Sequence, residues 1–267
     1  MNVLYIVGRG SKHDNIELRW SLRSLALYGE GVERVIVAGN PPAWLSDDVE
    51  KIEIEDHPLP QKNRRLTHAM LEAIERANLC GDFLFCADDT FLSSPTQLDT
   101  VPLFVKDYDL PEGAKPGEKI TAFLQCLCET RRFCRERGLP SVNFQQHALV
   151  RLSADVIRKN AALIRESIDE TPRGCEILSL CNNLVLRESP WTPLVWRKDV
   201  KFGASDYSLD AVRDPFVCGQ FSISDATFGC AAFVADMEAN FSAPCRFELG
   251  GPTKDRGIIA AIRRAFT

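Results

Sequence analysis

No run of apolar residues in this 267-residue chain is long enough to cross a bilayer, which takes about 20. Positive charge is not in excess: 32 Lys and Arg stand against 37 Asp and Glu, a net of −5. A protein built to coat nucleic acid would be basic, so no nucleic-acid partner is expected. There is no CxxC pair, and neither GxGxxG nor a Walker loop, so the common zinc and nucleotide signatures are missing. Internal repeats, low-complexity tracts and an obvious linker are also missing, and one domain over residues 1–267 is expected. No basic segment followed by an apolar one opens the chain, which starts Met1-Asn2-Val3-Leu4-Tyr5, already strand-like. The ten cysteines are dispersed, unlike those of a small disulfide scaffold. Together these features predict a reducing cytoplasm and mostly buried free thiols. Zinc held by Cys126, Cys128, Cys134 and His147 matches no familiar finger spacing, so plain core cysteines are the preferred reading.

What is present is an ordinary globular composition, 45% apolar and 26% charged. The first ninety residues alternate strand and helix signals. Val3–Val7 is a short apolar run that stops at Gly8-Arg9-Gly10-Ser11. Asp14 or Asn15 can cap a helix carrying Ile16, Trp20, Leu22 and Leu25. Arg34–Ala38 reads as a second strand, Lys51–Glu55 as a third, Thr67–Ala77 as a helix, and Asp82–Cys86 as a fourth strand. This alternation predicts an α/β fold with a mainly parallel sheet. Further on, Asp107–Lys119 is a surface excursion and helices are expected over Ile120–Arg137, Ser153–Ser167 and Phe233–Phe241. Cys175–Leu186 is helix or strand, which periodicity does not decide.

Ligands of such sheets sit beyond the carboxyl ends of the strands. Asp88 and Asp89 stand at such an end. Two adjacent carboxylates there suit a hard divalent cation, Mg²⁺ or Mn²⁺, bridging to phosphate. The competing reading is a helix N-cap. The apolar strand before the pair favours the cation. Gly8, Arg9 and Gly10 can turn backbone N–H groups and one guanidinium towards a phosphate or base, though taken alone a plain tight turn is the preferred reading. Asp225, at the end of the strand-like Phe221–Ile223 run, resembles Asp89 in position. Arg19, Arg23, Arg64, Arg65, Arg173 and Arg187 are candidate phosphate contacts. His13, His57 and His68 read as surface histidines. His147 sits in a polar cluster before a helix, and histidine starts closest to the pKa a general base needs.

In their order these segments resemble the Stealth family of sugar-phosphate transferases. Glu17-Leu18-Arg19-Trp20-Ser21-Leu22-Arg23-Ser24-Leu25 is similar to the family's ELRYSLRSI helix. Val35–Leu45 is similar to IYIVTNGQIPSWL, and Phe83–Leu92 to FLYFNDDVFL. His147 with Arg151, Thr171-Pro172-Arg173 and Ile177–Leu186 resemble the third family block. Phe221–Asp225 resembles FCLND, and Met237–Glu248 resembles FLEELFPEPSPFE. The departures are specific. The family's WVDG is Ile6-Val7-Gly8-Arg9 here, so its aspartate is missing. Ala87 and Ser224 replace asparagines, and Gln61-Lys62-Asn63-Arg64-Arg65 replaces the usual TFNS.

The resemblance implies a fold like the glycosyltransferase-A nucleotide-sugar fold, with residues 1–100 as the nucleotide half and 101–267 as the acceptor half. It implies Asp88 and Asp89, with Asp225, as metal ligands, His147 as catalytic base, and Arg173 on phosphate. Gly8, Arg9, Gly10, Arg19 and Asn63 are the candidate donor contacts. The implied activity is metal-dependent transfer of a sugar-1-phosphate from a nucleotide-sugar to a glycan or sugar hydroxyl. An ordinary glycosyltransferase releasing a nucleoside diphosphate is the alternative, and a non-catalytic sugar- or nucleotide-binding module is the other.

Overall fold

A five-stranded sheet organises the chain, in the spatial order Val49–Glu53, Arg34–Gly39, Asn2–Val7, Asp82–Cys86, Val150–Ser153. The computed structural model describes residues 1–9, 11, 13–55, 57–115, 117–204 and 206–252, with only the backbone of Phe216. The first half runs β1 (Asn2–Val7), α1 (Ile16–Tyr28), β2 (Gly29–Glu30), β3 (Arg34–Gly39), β4 (Val49–Glu53), α2 (Lys62–Arg76) and β5 (Asp82–Cys86). Then come β6 (Thr90–Leu92), β7 (Thr96–Gln97), β8 (Leu103–Val105), α3 (Ala122–Glu136) and β9 (Val150–Ser153). The rest is α4 (Ala154–Lys159), α5 (Ala161–Glu170), α6 (Ile177–Glu188), β10 (Leu194–Trp196), β11 (Lys201–Phe202), α7 (Leu209–Arg213), β12 (Gln220–Ile223) and α8 (Ala231–Phe241).

Strands β4, β3, β1 and β5 are parallel, and β9 is antiparallel to β5. The expected α/β architecture is therefore present, with one reversed edge strand. Burial explains the unbroken apolar runs in β1 and β3, since such strands are covered on both faces. Alternate side chains serve the two faces. Leu4, Ile36, Phe83 and Phe85 pack with Met70 and Ile74 of α2 and Leu180 and Leu184 of α6. Val3, Tyr5, Val35, Val37 and Leu84 pack with Leu18, Leu22 and Leu25 of α1. Fully burying each such side chain contributes roughly 1.5–3 kcal/mol, so the two faces together hold the sheet. A third cluster joins Trp20, Phe91, Phe221 and Phe233 between α1, α8 and the small sheet β11-β12-β6.

Several elements differ from the sequence expectation. Helix α2 begins at Lys62, five residues before Thr67, because polar Lys62–Arg65 hides the helical period. The single helix expected over Ser153–Ser167 is two, α4 and α5, meeting at Asn160. Asn160 bonds the Val156 carbonyl and Glu188 through its side-chain amide instead of continuing one straight helix. Cys175–Leu186 resolves into helix α6, started by Glu176, whose carboxylate accepts from the Leu178 and Ser179 N–H groups. Asn15 does occupy the cap position of α1, but in left-handed backbone and without a side-chain cap bond. Ser11 Oγ accepts the Asn15 N–H at 2.8 Å instead.

Candidate active site

The strand order creates a crevice. From β1 the chain passes through α1 to β3 on one side, while β5 lies on the other side of β1. Loops leaving the carboxyl ends of β1 and β5 therefore diverge, the arrangement in which open α/β sheets bind ligands. Gly8 and Arg9 follow β1 and are exposed. Gly10 lies outside the described residues. Beside them Gly39 closes β3 at φ 101°, and a Cβ there would collide with the Val7 carbonyl oxygen. Only glycine lets this turn lie against the end of β1.

Asp88 and Asp89 follow β5. Thr90 N–H donates to Ala87 O at 3.1 Å, and the chain turns directly into β6. The residues after the pair form a strand, so the helix N-cap reading does not hold. Burial, then the Asp89 and Glu17 charges, push the Asp88 carboxyl up to about 7, only partly offset by Lys62. Glu17 Oε2 is buried with no hydrogen-bond partner. Asp89 Oδ2 accepts from Lys201 Nζ at 3.0 Å. Negative charge is thus crowded here and only partly matched.

Strand β12 delivers Asp225 to the same place. Its Ile223 N–H donates to Asp89 O at 3.1 Å, two residues before Asp225. Asp225 is exposed and opens a short 3₁₀ turn, Asp225–Gly229. His13 stacks on Phe228 of that turn with ring centroids 3.9 Å apart, which joins the loop after β1 to the turn after β12. Oxygen donors of this kind suit Mg²⁺ or Mn²⁺. The partly protonated Asp88 and the orphaned Glu17 oxygen fit a site whose charge a cation would balance. Among the described residues, however, no three His, Cys, Asp or Glu side chains stand together as a ready-made cage.

His147 reaches this edge because β9 is reversed. Val150 pairs with Phe85, so the amino end of β9 lies beside the carboxyl end of β5. His147 precedes Val150 by three residues and Asp88 follows Phe85 by three. Asp199 holds the histidine: Oδ1 accepts its backbone N–H at 2.7 Å, and Oδ2 meets Nδ1 at 2.9 Å. Burial pushes Asp199 up, but His147 and Lys106 override it and hold this carboxyl well below the usual carboxylate range. An ionised Asp199 makes Nδ1 the protonated nitrogen and leaves Nε2 with its lone pair. Gln145 Nε2 lies 3.4 Å from Nε2, at the outer limit of hydrogen-bond reach. Arg197, fully buried, braces the assembly by bonding the Val217 and Gln220 carbonyls and Gln146 Oε1.

The loop before α6 carries Arg173. Its N–H donates to Glu129 and its Nε to Gln125 Oε1 at 2.6 Å. The next residue, Gly174, has φ 78°, and its missing side chain lets Arg64 of α2 pack against the backbone. Cys126 Sγ donates to Gly174 O and accepts from Asn63 Nδ2 at 2.8 Å. Asn63 and Arg173 therefore share one corner, at the start of α2, whose Lys62 acts on Asp88. Arg19 is differently placed. Its Nη1 bonds Glu248 at 3.0 Å and its guanidinium covers the Trp44 ring at 4.1 Å. Arg23 bonds the same carboxylate through Nε and Nη2. Of the residues around this site, sequence reasoning missed Asp199, Lys201 and Arg197. Glu17 lay within the helix segment matched to the family without being singled out.

No family model matches the chain. An exopolysaccharide phosphotransferase of Streptomyces coelicolor is 26% identical over 190 residues, covering 63% of this chain. The chain resembles the Stealth-type sugar-phosphate transferases. It spans about one fifth of that relative's length, 20%. Among solved structures, the galactosyltransferase LgtC in complex with donor and acceptor sugar analogs is 12% identical, with a TM-score of 0.46. That overlay covers 90% of this chain and 95% of the other. An active-site mutant of LgtC is 13% identical with the same TM-score, 0.46, and the same coverage. Among the described residues no helix is long and apolar enough to cross a membrane.

Proposed function

We propose that this chain is a metal-dependent transferase that moves a sugar-1-phosphate from a nucleotide-sugar to a glycan hydroxyl. The observation that carries the proposal is the shared edge: the Asp88–Asp89 pair and the Asp199-held His147 both stand at the carboxyl end of β5. The phosphotransferase relative supports the same reaction class. Residues 1–100 supply the donor half, at the β1/β5 crevice, and residues 101–267 the acceptor half. Ten free thiols support a reducing, cytoplasmic setting.

His147 Nε2 takes the proton of the acceptor hydroxyl. The hydroxyl oxygen attacks the β-phosphorus of the donor, and its bond to the bridging oxygen of the nucleoside monophosphate breaks. Asp199 stabilises the imidazolium that forms. Asp88, Asp89 and Asp225 would hold Mg²⁺ or Mn²⁺, which would supply positive charge against the diphosphate. Arg173 and Lys62 add fixed positive charge near that group, while Gly8, Arg9 and Asn63 line the donor side. Positioning and electrostatics are the main means available for phosphoryl transfer.

A second reading keeps the donor but has the hydroxyl attack the anomeric carbon. It is favoured by Gly8–Arg9 at the crevice, where the family has an aspartate. The leaving group separates the two. Thermal shift with UDP-sugars and Mn²⁺ first identifies a donor, since a ligand binding only the native state raises stability. Product analysis then reads UMP for the first reaction and UDP for the second. Metal-dependent binding without turnover on any acceptor would make the chain a binding module, and no nucleotide binding at all would end all three readings.

A further inference from the structure

Away from the crevice, a cavity of about 640 Å³ opens between α7, α8 and the β6–β12 pair. It lies at the far end of that pair from Asp89. Leu92 and Gln220 pair at the cavity end, Thr90 and Ser222 at the Asp89 end. Leu92 lies three residues beyond Asp89, about 10 Å of extended chain. None of the described residues assigned to the candidate active site lines this cavity.

The wall is divided by chemistry. Tyr28, Tyr207 and Phe241 bring aromatic surface, and both tyrosines are only half-buried. Asp214, Asp236 and Asn240 bring polar groups. Asp236 accepts from the Tyr207 hydroxyl and from Asn240 Nδ2 at 3.0 Å, which fixes all three side chains in place. Asp214 accepts from Lys198 Nζ at 2.6 Å. Among the described residues, Arg213 is the single cationic lining residue, beside two carboxylates, and that balance favours a neutral ligand over a phosphate or nucleotide. A neutral ligand with one apolar face and a rim of hydroxyls fits both parts of the wall.

The backbone at the rim is also unusual. Cys218 and Gly219 have φ of 53° and 65°. A non-glycine residue in that region is uncommon, and strain of this kind gathers at binding sites. A Cβ on Gly219 would collide with Ser94 Oγ, so the turn brings bare backbone against a second hydroxyl of the wall.

We propose that this cavity binds a neutral saccharide through its pyranose face and hydroxyls. The identity of that saccharide as part of the acceptor glycan rests on the transferase reading; the binding itself does not. Cys218 is exposed and lines the cavity, so its thiol reports occupancy, and exposed Cys80 lies outside it as a control. The experiment measures the rate at which a thiol reagent labels each cysteine of the full chain, by peptide mapping. The probes are di- and trisaccharides of glucose, galactose, mannose and N-acetylglucosamine, with inorganic phosphate and UMP for comparison. At least one saccharide should slow Cys218 roughly tenfold at about ten times its Kd, leaving Cys80 unchanged. Asn240→Ala, on an exposed side chain, and Asp236→Asn should remove the protection.

No slowing by any saccharide would overturn the site. So would equal slowing in both variants, or protection by phosphate or UMP as strong as by the best sugar. A parallel thermal shift with UDP and Mn²⁺ keeps the two proposals apart. Protection of Cys218 in a protein that ignores UDP would strike the transferase reading and leave this site standing.

Discussion

Asp199 holds His147 at two points, accepting its backbone N–H at 2.7 Å and meeting Nδ1 at 2.9 Å. The two residues lie 52 positions apart, and the pair fixes which ring nitrogen is free to take a proton. Removing the proposed base, His147→Ala, should lower the rate roughly 10²–10⁴-fold and leave a slow, measurable reaction. Asp199→Asn should cost at least about 10²-fold, because an amide can donate to Nδ1 and favour the wrong tautomer. Both are read in a product assay. Donor binding by thermal shift should stay near wild type in each, and full activity in either variant would remove the assigned role.

Asp88, a proposed metal ligand, should also tune stability. Its carboxyl is pushed up to about 7 by burial, Asp89 and Glu17. The folded value lies above the unfolded one, so the native state holds the extra proton, and stability falls as pH rises from about 4 towards 7. Asp88→Asn removes that penalty. At pH 8 the metal-free variant should be more stable than wild type by more than about 1.4 kcal/mol, the worth of one pKa unit. The same variant should lose the Mn²⁺-dependent UDP shift. In wild type that shift should weaken as pH drops through about 7, since a protonated carboxyl is a poor ligand. Denaturant titration at pH 5 and pH 8 tests the first half, and thermal shift across the same range tests the second.

Glu248 anchors the last described segment to α1. Its side chain, 2% exposed, meets Arg23 Nε at 2.6 Å and Arg19 Nη1 at 3.0 Å. Burial raises its carboxyl, but the Arg23 hydrogen bond and charge outweigh that and hold it below the usual range. Its contribution is therefore complete at neutral pH and fades as pH falls below about 4.3 through the lower folded value. Glu248→Ala removes the carboxylate shared by Arg19 and Arg23, leaving Arg23 the Phe241 and Ser242 carbonyls and Arg19 the Trp44 ring, and should cost about 3–5 kcal/mol in denaturant melts at pH 7. A loss of under 1 kcal/mol, a change typical of exposed pairs, would show the cluster to be peripheral.

The cysteines divide by burial. Cys86, Cys126, Cys134, Cys175 and Cys245 are pushed up to about 12, first by desolvation. Thiolate is the reactive form, so these five should be inert in the native state at pH 8. Cys80 and Cys218 are exposed and should label first. A thiol titration should show a fast phase of those two and release these five, together with buried Cys181, only on unfolding. Rapid native labelling of Cys126 or Cys175 would mean that the α3–α6 packing opens readily.

Local pattern made much of the fold legible. The apolar runs of β1, β3 and β5 end where glycine or aspartate begins, and that placed Gly8, Gly39 and Asp88 at strand ends. The Asn160 break between α4 and α5 was not legible, because it depends on what Asn160 bonds from α6. Nor was the helical state of Ile177–Glu188, whose residues are almost all buried and so show no polar face to read. In the site, Asp199 offered no signal: it stands in a polar stretch where most carboxylates are solvated. Arg19 looked like a phosphate contact by residue type, yet Glu248 and Trp44 engage it.

By itself the sequence determined the alternation of strands and helices, the paired carboxylates after an apolar strand, and the family-like segments. Those are local properties, set by side-chain period and by residues that stop a strand. The tertiary structure decided which distant groups meet. The reversal of β9 brings His147 to the edge carrying Asp88, Lys201 answers Asp89, and Asp199 orients the histidine. Such meetings depend on strand order and packing between segments tens of residues apart, and local periodicity does not encode them.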